Sequence, residues 1–344
     1  MRKVAFRTVE LTGPAEIHVR NGALLVEKEI PNSKDVNKAG DTANKKTTLG
    51  KGTRKKYAAE RLDTEIIKWM IPLEDILSIV CLGAGIRIST MAMAKICNHK
   101  ISVMMLDEKY NPAGVLTAYD AYARQALIMR KQAYADSKRV DRLWKDIILQ
   151  KIRNQAQALR LLSLNGADDI SKYERKLSYS EDNEFLIDPV EAGAAKQYFH
   201  YLCPEISRRE ETPINSCLNY GYSIIRNTII RNLIAAGLLP AFGLHHQNLY
   251  NAFNLADDLI EPFRPCVDIV AYSVAGESTQ LDRSQRRRLA EVVLHAVQIK
   301  GKKVNIITAI GMMVDDLRSF YNGDNEEIAL PSILPVEKID TVRE

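Results

Sequence analysis

The sequence predicts an α+β multidomain protein, an N-terminal β-strand-rich domain followed by a larger all-α C-terminal domain. Three observations point there. Polar and apolar residues alternate through VAFRTVEL and AEIHVR, the period of half-buried strands. The Asn21-Gly22 pair ahead of ALLVEKE is a strong tight-hairpin signal. From Tyr119 onward, apolar residues recur at helical spacing over lengths that strands do not reach.

Taken in order, the two alternating runs and ALLVEKE are the first strands. IIKWMI, ILSIVCL and ISVMML follow as short apolar runs of strand length. Between the last two lies STMAMAKICNHK, a short helix that Ser89 caps and Asn98 helps to end. Asn111-Pro112 marks a turn after ISVMML. An interruption from about Pro31 to Arg61 contains NKKTTLGKGTRKK, with Lys45, Lys46, Lys51, Arg54, Lys55 and Lys56 and no acid. Its poverty in apolar residues reads as a solvated loop. Its charge also suits a basic arm on a nucleic-acid backbone.

The helical part opens with YDAYARQALIMRKQAYA and RLWKDIILQKIRNQAQALRLL. Asp188-Pro189 starts the next helix, with Asp as N-cap and Pro at the first position. Thr212-Pro213 starts another in the same way, closed by Gly237. Later helices are expected over about Thr279 to Lys300 and Asn305 to Tyr321. The chain therefore divides into a β domain over 1–114, a helical domain over 119–324 and an irregular tail over 325–344. Its 344 residues suffice for two domains, and no internal repeat is visible.

Composition narrows the function classes. The chain is 46% hydrophobic and 26% charged, a globular balance. A net charge of +5 permits an anionic partner without demanding one. The five cysteines are scattered, odd in number and without a CxxC pair, which argues against a zinc ribbon or disulfide framework and for a reducing cytoplasm. MRKVAFRTVEL lacks the apolar core of a signal peptide, and no apolar run of about 18 residues is present to cross a membrane. Gly83-Ala84-Gly85 is a lone GxG, and neither a Walker A sequence nor HExxH occurs.

The stretch HHQNLYNAFNLADDLIEPFRP, from His245, concentrates the remaining chemistry. On one straight helix His246 and Glu261 would stand about 22 Å apart, too far to share an ion. Cooperation therefore requires a bend. Asn254 can cap a new helix, with Asp257 in a box-like position. Asp258 and Glu261 then share one face, and Pro262 kinks or ends the helix. Oxygen ligands with one imidazole suit Mn²⁺ or Mg²⁺. Ordinary caps on a polar helix explain the same residues, and Glu191, three residues after Asp188, reads locally as a capping-box acid. Basic residues recur nearby: Arg226, Arg231, Arg264, Arg283, Arg286, Arg287, Arg288, Lys300, Lys302 and Lys303. Of these Arg226, Arg231, Arg264, Arg286, Arg287 and Lys302 are the candidate DNA contacts. Metal and bases together are what a site holding a phosphodiester needs.

TPINSCLNYGYSIIR, then GLHHQN, then FNLADDLIEPFRP, in this order and spacing, resembles the CRISPR-associated integrase family (Cas-one), the DNA-inserting subunit of spacer acquisition. EPFRP and LNYGY are most similar to members from systems with a single large effector nuclease. The resemblance covers most of the chain and is most specific from about Asp188 to Asp268. It implies a metal site on Glu191, from VEAGAAKQYF; on His246 rather than His245, from the Gly-hydrophobic-x-His segment; and on Glu261, before Pro-Phe-Arg-Pro. Asp258 matches as an assisting acid, and Asp257 keeps its capping role. The long insertion between Pro31 and Arg61 departs from the family pattern.

The implied reaction is Mg²⁺- or Mn²⁺-dependent strand transfer. A 3′-hydroxyl of a DNA fragment attacks a phosphodiester of the repeat, and the same site could cut branched DNA. The implied partners are double-stranded DNA, a second copy of the chain in a homodimer, and a dimer of a small ferredoxin-like protein (Cas-two). A catalytically silent DNA-binding scaffold and a metal-dependent phosphoesterase are the alternatives.

Overall fold

A computed structural model describes residues 7–31, 64–82, 84–108, 110, 112–118, 124–179, 186–204 and 206–334. The basic run from Lys45 to Lys56, Asn111 of the expected turn and residues 335–344 lie outside them. The N-terminal part is strand-rich and the rest mainly helical. β1 (Arg7–Thr12), β5 (Ile76–Leu82), β7 (Ser102–Leu106) and β8 (Pro112–Leu116) form one sheet in the order β1-β5-β7-β8. β4 (Thr64–Pro72), β3 (Ala23–Pro31), β2 (Ala15–Arg20) and β6 (Ile86–Ile88) form a second, in that order.

The hairpin expected at Asn21-Gly22 joins β2 to β3, with both residues at positive φ (49° and 73°) and Arg20 paired to Ala23. α1 (Thr90–Asn98) begins where Ser89 accepts the Ala92 N–H at 3.3 Å. ILSIVCL reads as nearly continuous apolar sequence because β5 is buried on both faces. Ile76 and Ile79 join Ile17, Leu24 and Ile96 in one core, while Leu77 and Val80 join the core of the helical region.

The helices are α2 (Gln125–Ala133), α3 (Ser137–Leu161), α4 (Ala167–Ser178), α5 (Ile187–Leu202), α6 (Pro213–Ala235), α7 (Asn254–Leu259), α8 (Arg264–Val274), α9 (Arg283–Ala290) and α10 (Ile306–Asn322). Thr212 caps α6 as expected, accepting the Asn215 N–H at 3.4 Å with Pro213 at the first position. α3 is the spine. Its 25 residues reach about 37 Å at 1.5 Å each, and it packs on α4, α5, α8 and the turn after α7.

Four expectations fail locally. The helix expected over 279–300 is a short α9, a 3-10 turn over Glu291–Leu294 and a strand, β9 (Ala296–Ile299). β9 turns at Lys300 and Gly301, at φ 50° and 70°, into β10 (Lys302–Asn305). AVQI followed by Lys-Gly is a hairpin signal that helical spacing upstream concealed. The tail is not wholly irregular, since β11 (Ser332–Ile333) adds an antiparallel strand to β9. α5 starts at Ile187, and Asp188 does not cap it. α7 starts at Asn254 with Phe253 at the cap position, so neither Asn254 nor Asp257 caps it.

The two parts meet through polar contacts centred on Glu10 of β1. Tyr220 donates to Glu10 at 2.9 Å, and Arg286 donates to it at 2.6 Å. Tyr110 accepts the Leu281 N–H at 2.9 Å. Among the described residues no helix is long and apolar enough to cross a membrane.

Candidate active site

The site forms where α3, α5, the loop before α7 and the bend after α7 converge. Pro262 lacks an amide hydrogen and crowds the preceding turn. It therefore breaks the helical path into α7, a 3-10 turn over Glu261–Phe263, and α8. The turn aims the buried Glu261 carboxylate back at α3. There Lys151, whose side chain is 8% exposed, places its ammonium 2.5 Å from Glu261 Oε2 and donates a hydrogen bond to Glu191 Oε1 of α5. Two carboxylates 70 positions apart in sequence thus share one cation. Arg264 bonds the other oxygen of Glu261 at 2.8 Å and lies over the Tyr222 ring, 4.8 Å from its centroid.

The histidine loop is built around Asp258, which is wholly buried. Its carboxylate accepts the Leu244 N–H at 2.5 Å, the His245 N–H at 3.1 Å and the His246 N–H at 3.2 Å. It also accepts Nδ1–H of His246 at 2.6 Å. Gly243 makes this wrap possible. A Cβ there would stand 2.3 Å from the His246 carbonyl and 2.8 Å from Asp258 Oδ2. Asn254 fastens the loop from the other side, donating to Ala241 O at 3.1 Å and Asn248 O at 2.9 Å. Trp144 of α3 lies beneath both histidines, stacked on His245 at 4.6 Å and edge-on to His246 at 5.9 Å. His245 turns away toward Asp188, at 3.2 Å.

Electrostatics follow from this packing. Burial would raise the Glu261 carboxyl, but Arg264 and Lys151 outweigh it and hold it at about 2. Burial would lower the Lys151 ammonium, yet Glu261 and Glu191 leave it raised. The Asp258 hydrogen bond raises His246. Behind the site, burial pushes Asp268 up to about 6, although Tyr222 and Tyr198 donate to it.

Glu191, Glu261 and Nε2 of His246 are the groups that could hold a divalent ion. Two carboxylates and one imidazole suit Mg²⁺ or Mn²⁺. Glu261 Oε2 is buried against the Lys151 ammonium at 2.5 Å, so it can meet another cation only in exchange for that one. Nδ1 of His246 is occupied by Asp258, which leaves Nε2 as the nitrogen available to an ion. The three are gathered by shared neighbours rather than closed on one point. Among the described residues, the group of three acids or histidines with donor atoms all within 4.8 Å is Glu16, His18 and Glu27 on β2 and β3. There Lys68 already neutralises Glu27 at 2.8 Å and Arg87 neutralises Glu16 at 3.2 Å.

Several residues differ from their expected roles. Glu191 makes no capping box; its partner is Lys151. Asp257 does not cap but forms a two-pronged pair with Arg226, at 2.6 and 2.9 Å, that Asn251 joins at 2.6 Å. Arg226 also covers the Phe253 ring, so it braces the loop. Arg286 is likewise committed to Glu10 and to the Leu281 carbonyl. Arg231 donates to the Lys100 carbonyl at 2.8 Å. Arg287 and Lys302 are exposed, and Arg264 belongs to the acid pair.

Sequence reasoning missed Lys151, Trp144 and Asn154, all on α3. A signal existed for Lys151. It continues the apolar row of Trp144, Ile147 and Ile148 toward Ala158, and a charge on a buried stripe needs a buried partner.

Comparison with known proteins bears on this arrangement. A family model described as "CRISPR associated protein Cas1" matches residues 45–301. A "CRISPR-associated endonuclease Cas1" of Neisseria meningitidis serogroup C (strain 8013) is 31% identical over 273 residues, 78% of this chain and 88% of that protein. A "CRISPR-associated endonuclease Cas1 2" of Pyrobaculum aerophilum is 28% identical over 249 residues, 68% and 84% of the two chains. Among solved structures, "Casposase bound to integration product" superposes with a TM-score of 0.72 at 19% identity, covering 94% of this chain and 92% of that one. A CAS1 protein from Thermotoga maritima gives 0.67 at 15%, covering 93% and 98%. A chain of a "Cas6-RT-Cas1--Cas2 complex" gives 0.64 at 17%, covering 94% of this chain and 36% of that one. At such identities these structures speak for the fold.

Proposed function

The chain belongs to the Cas1 family of CRISPR-associated proteins, and from that premise we propose that it is a metal-dependent DNA integrase and endonuclease that inserts spacer DNA into a CRISPR repeat. The observation that carries this reading is the meeting of Glu191 and Glu261 on one cation beside a histidine whose Nδ1 is fixed. Glu191, Glu261 and Nε2 of His246 would hold Mg²⁺ or Mn²⁺. Once bound, the ion supplies charge neutralisation and polarisation at a phosphoryl oxygen.

The chain's own groups do the remainder. Asp258 orients the imidazole and is a positioning residue rather than a ligand. Trp144 keeps both rings from tilting. Arg264 leaves a fixed positive charge beside the site where charge develops on the phosphate. The reaction is a transesterification. The 3′-oxygen of the fragment forms a P–O bond as the repeat's own 3′-oxygen leaves; the attacking hydroxyl gives its proton to solvent, and the departing oxygen takes one up to become a 3′-hydroxyl. One phosphodiester replaces another, so no nucleotide cofactor is consumed. With water in place of the 3′-hydroxyl the site cuts DNA.

Double-stranded DNA and a Cas2-type partner are supported by what the fold neighbours are described as bound to. A homodimer, the two-domain division at 114 and 119, and kinship with single-effector systems are parts of the same proposal; LNYGY and EPFRP support the last. Arg287 and Lys302, both exposed, are its candidate backbone contacts, together with the basic run from Lys45 to Lys56.

The test is integration of a labelled fragment into a supercoiled plasmid carrying a repeat, with and without Mn²⁺ and the partner dimer. Joined product that depends on Mn²⁺ is expected. Product that persists in chelator would refute the metal-dependent reading.

A further inference from the structure

A buried ammonium is costly unless opposite charge surrounds it. Lys151 is therefore an unusual residue to find on the apolar row of α3, and its surroundings explain its presence. Its ammonium lies between Glu191 Oε1 and Glu261 Oε2, the oxygens that the proposed function gives to a divalent ion. An ion such as Mg²⁺ would need those carboxylates at about 2.0–2.1 Å, and an ammonium cannot stay between the same oxygens.

The two cations of the site are held differently. Arg264 is pinned twice, by Glu261 at 2.8 Å and by the Tyr222 ring. Lys151 has a compact charge on a flexible stem, and its partners there are the two carboxylates. One cation is built to remain and the other is able to move.

Resting on the integrase reading, we infer that the Lys151 ammonium is a resident placeholder cation: it holds Glu191 and Glu261 together and must be displaced before a divalent ion takes the site. Without such a charge, two carboxylates at this separation repel and spread the ends of α5 and the bend after α7. With it, the site stays assembled, and ion binding becomes an exchange of one cation for another. The consequence is a site that binds its metal more weakly than its ligands alone would dictate.

The experiment is a Mn²⁺ titration of the full chain by electron paramagnetic resonance, with thermal melting alongside. Lys151→Met and Lys151→Gln should melt lower without metal, bind Mn²⁺ on the order of tenfold more tightly, and show a larger Mn²⁺-induced rise in Tm than the unaltered chain. Affinity that is unchanged or weaker in both variants overturns the placeholder role. Glu191→Gln and His246→Ala, titrated in parallel, should lose Mn²⁺. If they bind it as the unaltered chain does, the site assignment itself falls, a different result from failure of the lysine's role. Should neither lysine variant fold, the unaltered chain decides. Labelling of Lys151 by an N-hydroxysuccinimide ester, read by mass spectrometry, should rise several-fold on adding Mn²⁺, and constant labelling overturns the proposal.

Discussion

Asp258 accepts the Nδ1–H of His246 at 2.6 Å while the same carboxylate collects three successive backbone N–H groups, from Leu244 to His246. One buried acid therefore sets both the path of the loop and the face of the ring. Asp258→Asn keeps one acceptor oxygen where two are used. It should weaken Mn²⁺ binding by about 10–100-fold, the usual cost of losing such a partner, as read by calorimetric titration. The hydrogen bond from Asp258 also raises the His246 pKa. Since Nε2 must be unprotonated to bind metal, affinity in the unaltered chain should fall as pH drops through that raised value. In Asp258→Asn the fall should move to lower pH.

Glu191→Gln tests the carboxylate pair. A capping role would predict a stability loss of about 1 kcal/mol and intact chemistry. The pairing with Lys151 instead predicts loss of Mn²⁺-dependent strand transfer, with the far-ultraviolet circular dichroism of the folded chain retained. His246→Ala should do the same in the plasmid integration assay.

Gly243→Ala has a different logic, because the added methyl group meets backbone. Its Cβ would fall 2.3 Å from the His246 carbonyl, far inside contact. The loop must shift, and an overpacking cost of about 1–3 kcal/mol is expected. The displaced His246 should make the Mn²⁺ affinity drop more than the melting temperature suggests, measured on the same sample.

Asp268 gives a pH signature in stability. Burial raises it to about 6 from 3.8, so the folded chain binds more protons than the unfolded one between those values. Its contribution is full below pH 3.8 and is lost as pH rises through 6, with a size on the order of 2–3 kcal/mol. Asp268→Asn, still able to meet Tyr198 and Tyr222, should remove that slope from urea-unfolding free energies and be the more stable form above pH 6. Glu261, held at about 2, acts in the opposite sense at lower pH, where its share is lost as pH falls from its unfolded value toward 2. A slope between pH 4 and 6 that is the same in Asp268→Asn as in the unaltered chain would refute the assignment.

Arg226 and Arg287 separate bracing from contact. Arg226→Ala leaves Asp257 half-buried with one partner fewer, so it should lower Tm without changing the salt slope of DNA binding. Arg287→Ala and Lys302→Ala should leave Tm nearly unchanged and each reduce the slope by about one unit if they reach phosphates, as read from binding isotherms at graded salt.

Local signals were legible in the sequence wherever the backbone was decisive: Asn21-Gly22, Ser89, Thr212-Pro213, and the bend forced by Pro262. The division into strand-rich and helical parts followed from period alone. The failed caps share a cause. Asp188, Glu191, Asn254 and Asp257 all stand where caps stand, yet each has a partner distant in sequence: His245, Lys151, the carbonyls of Ala241 and Asn248, and Arg226. A cap is a local bargain that tertiary contacts can outbid, and nothing within a few residues records the competing partner. Glu191 entered the site only through family resemblance, and Lys151 entered only once α3 was seen to run beneath it.

Asn154, one turn beyond Lys151 on α3, donates to Pro262 O at 2.7 Å and Pro331 O at 2.9 Å, and its own oxygen accepts from Ile333 N at 3.1 Å and Gln150 Nε2 at 3.0 Å. A single amide thus staples the β11 segment, at Pro331 and Ile333, to the bend that carries Glu261. Trimming the chain ahead of Pro331 would strip one side of that staple and loosen Glu261, an acid of the proposed site. A cut or insertion before Leu334 would accordingly unseat β11 and reach the bend through Asn154.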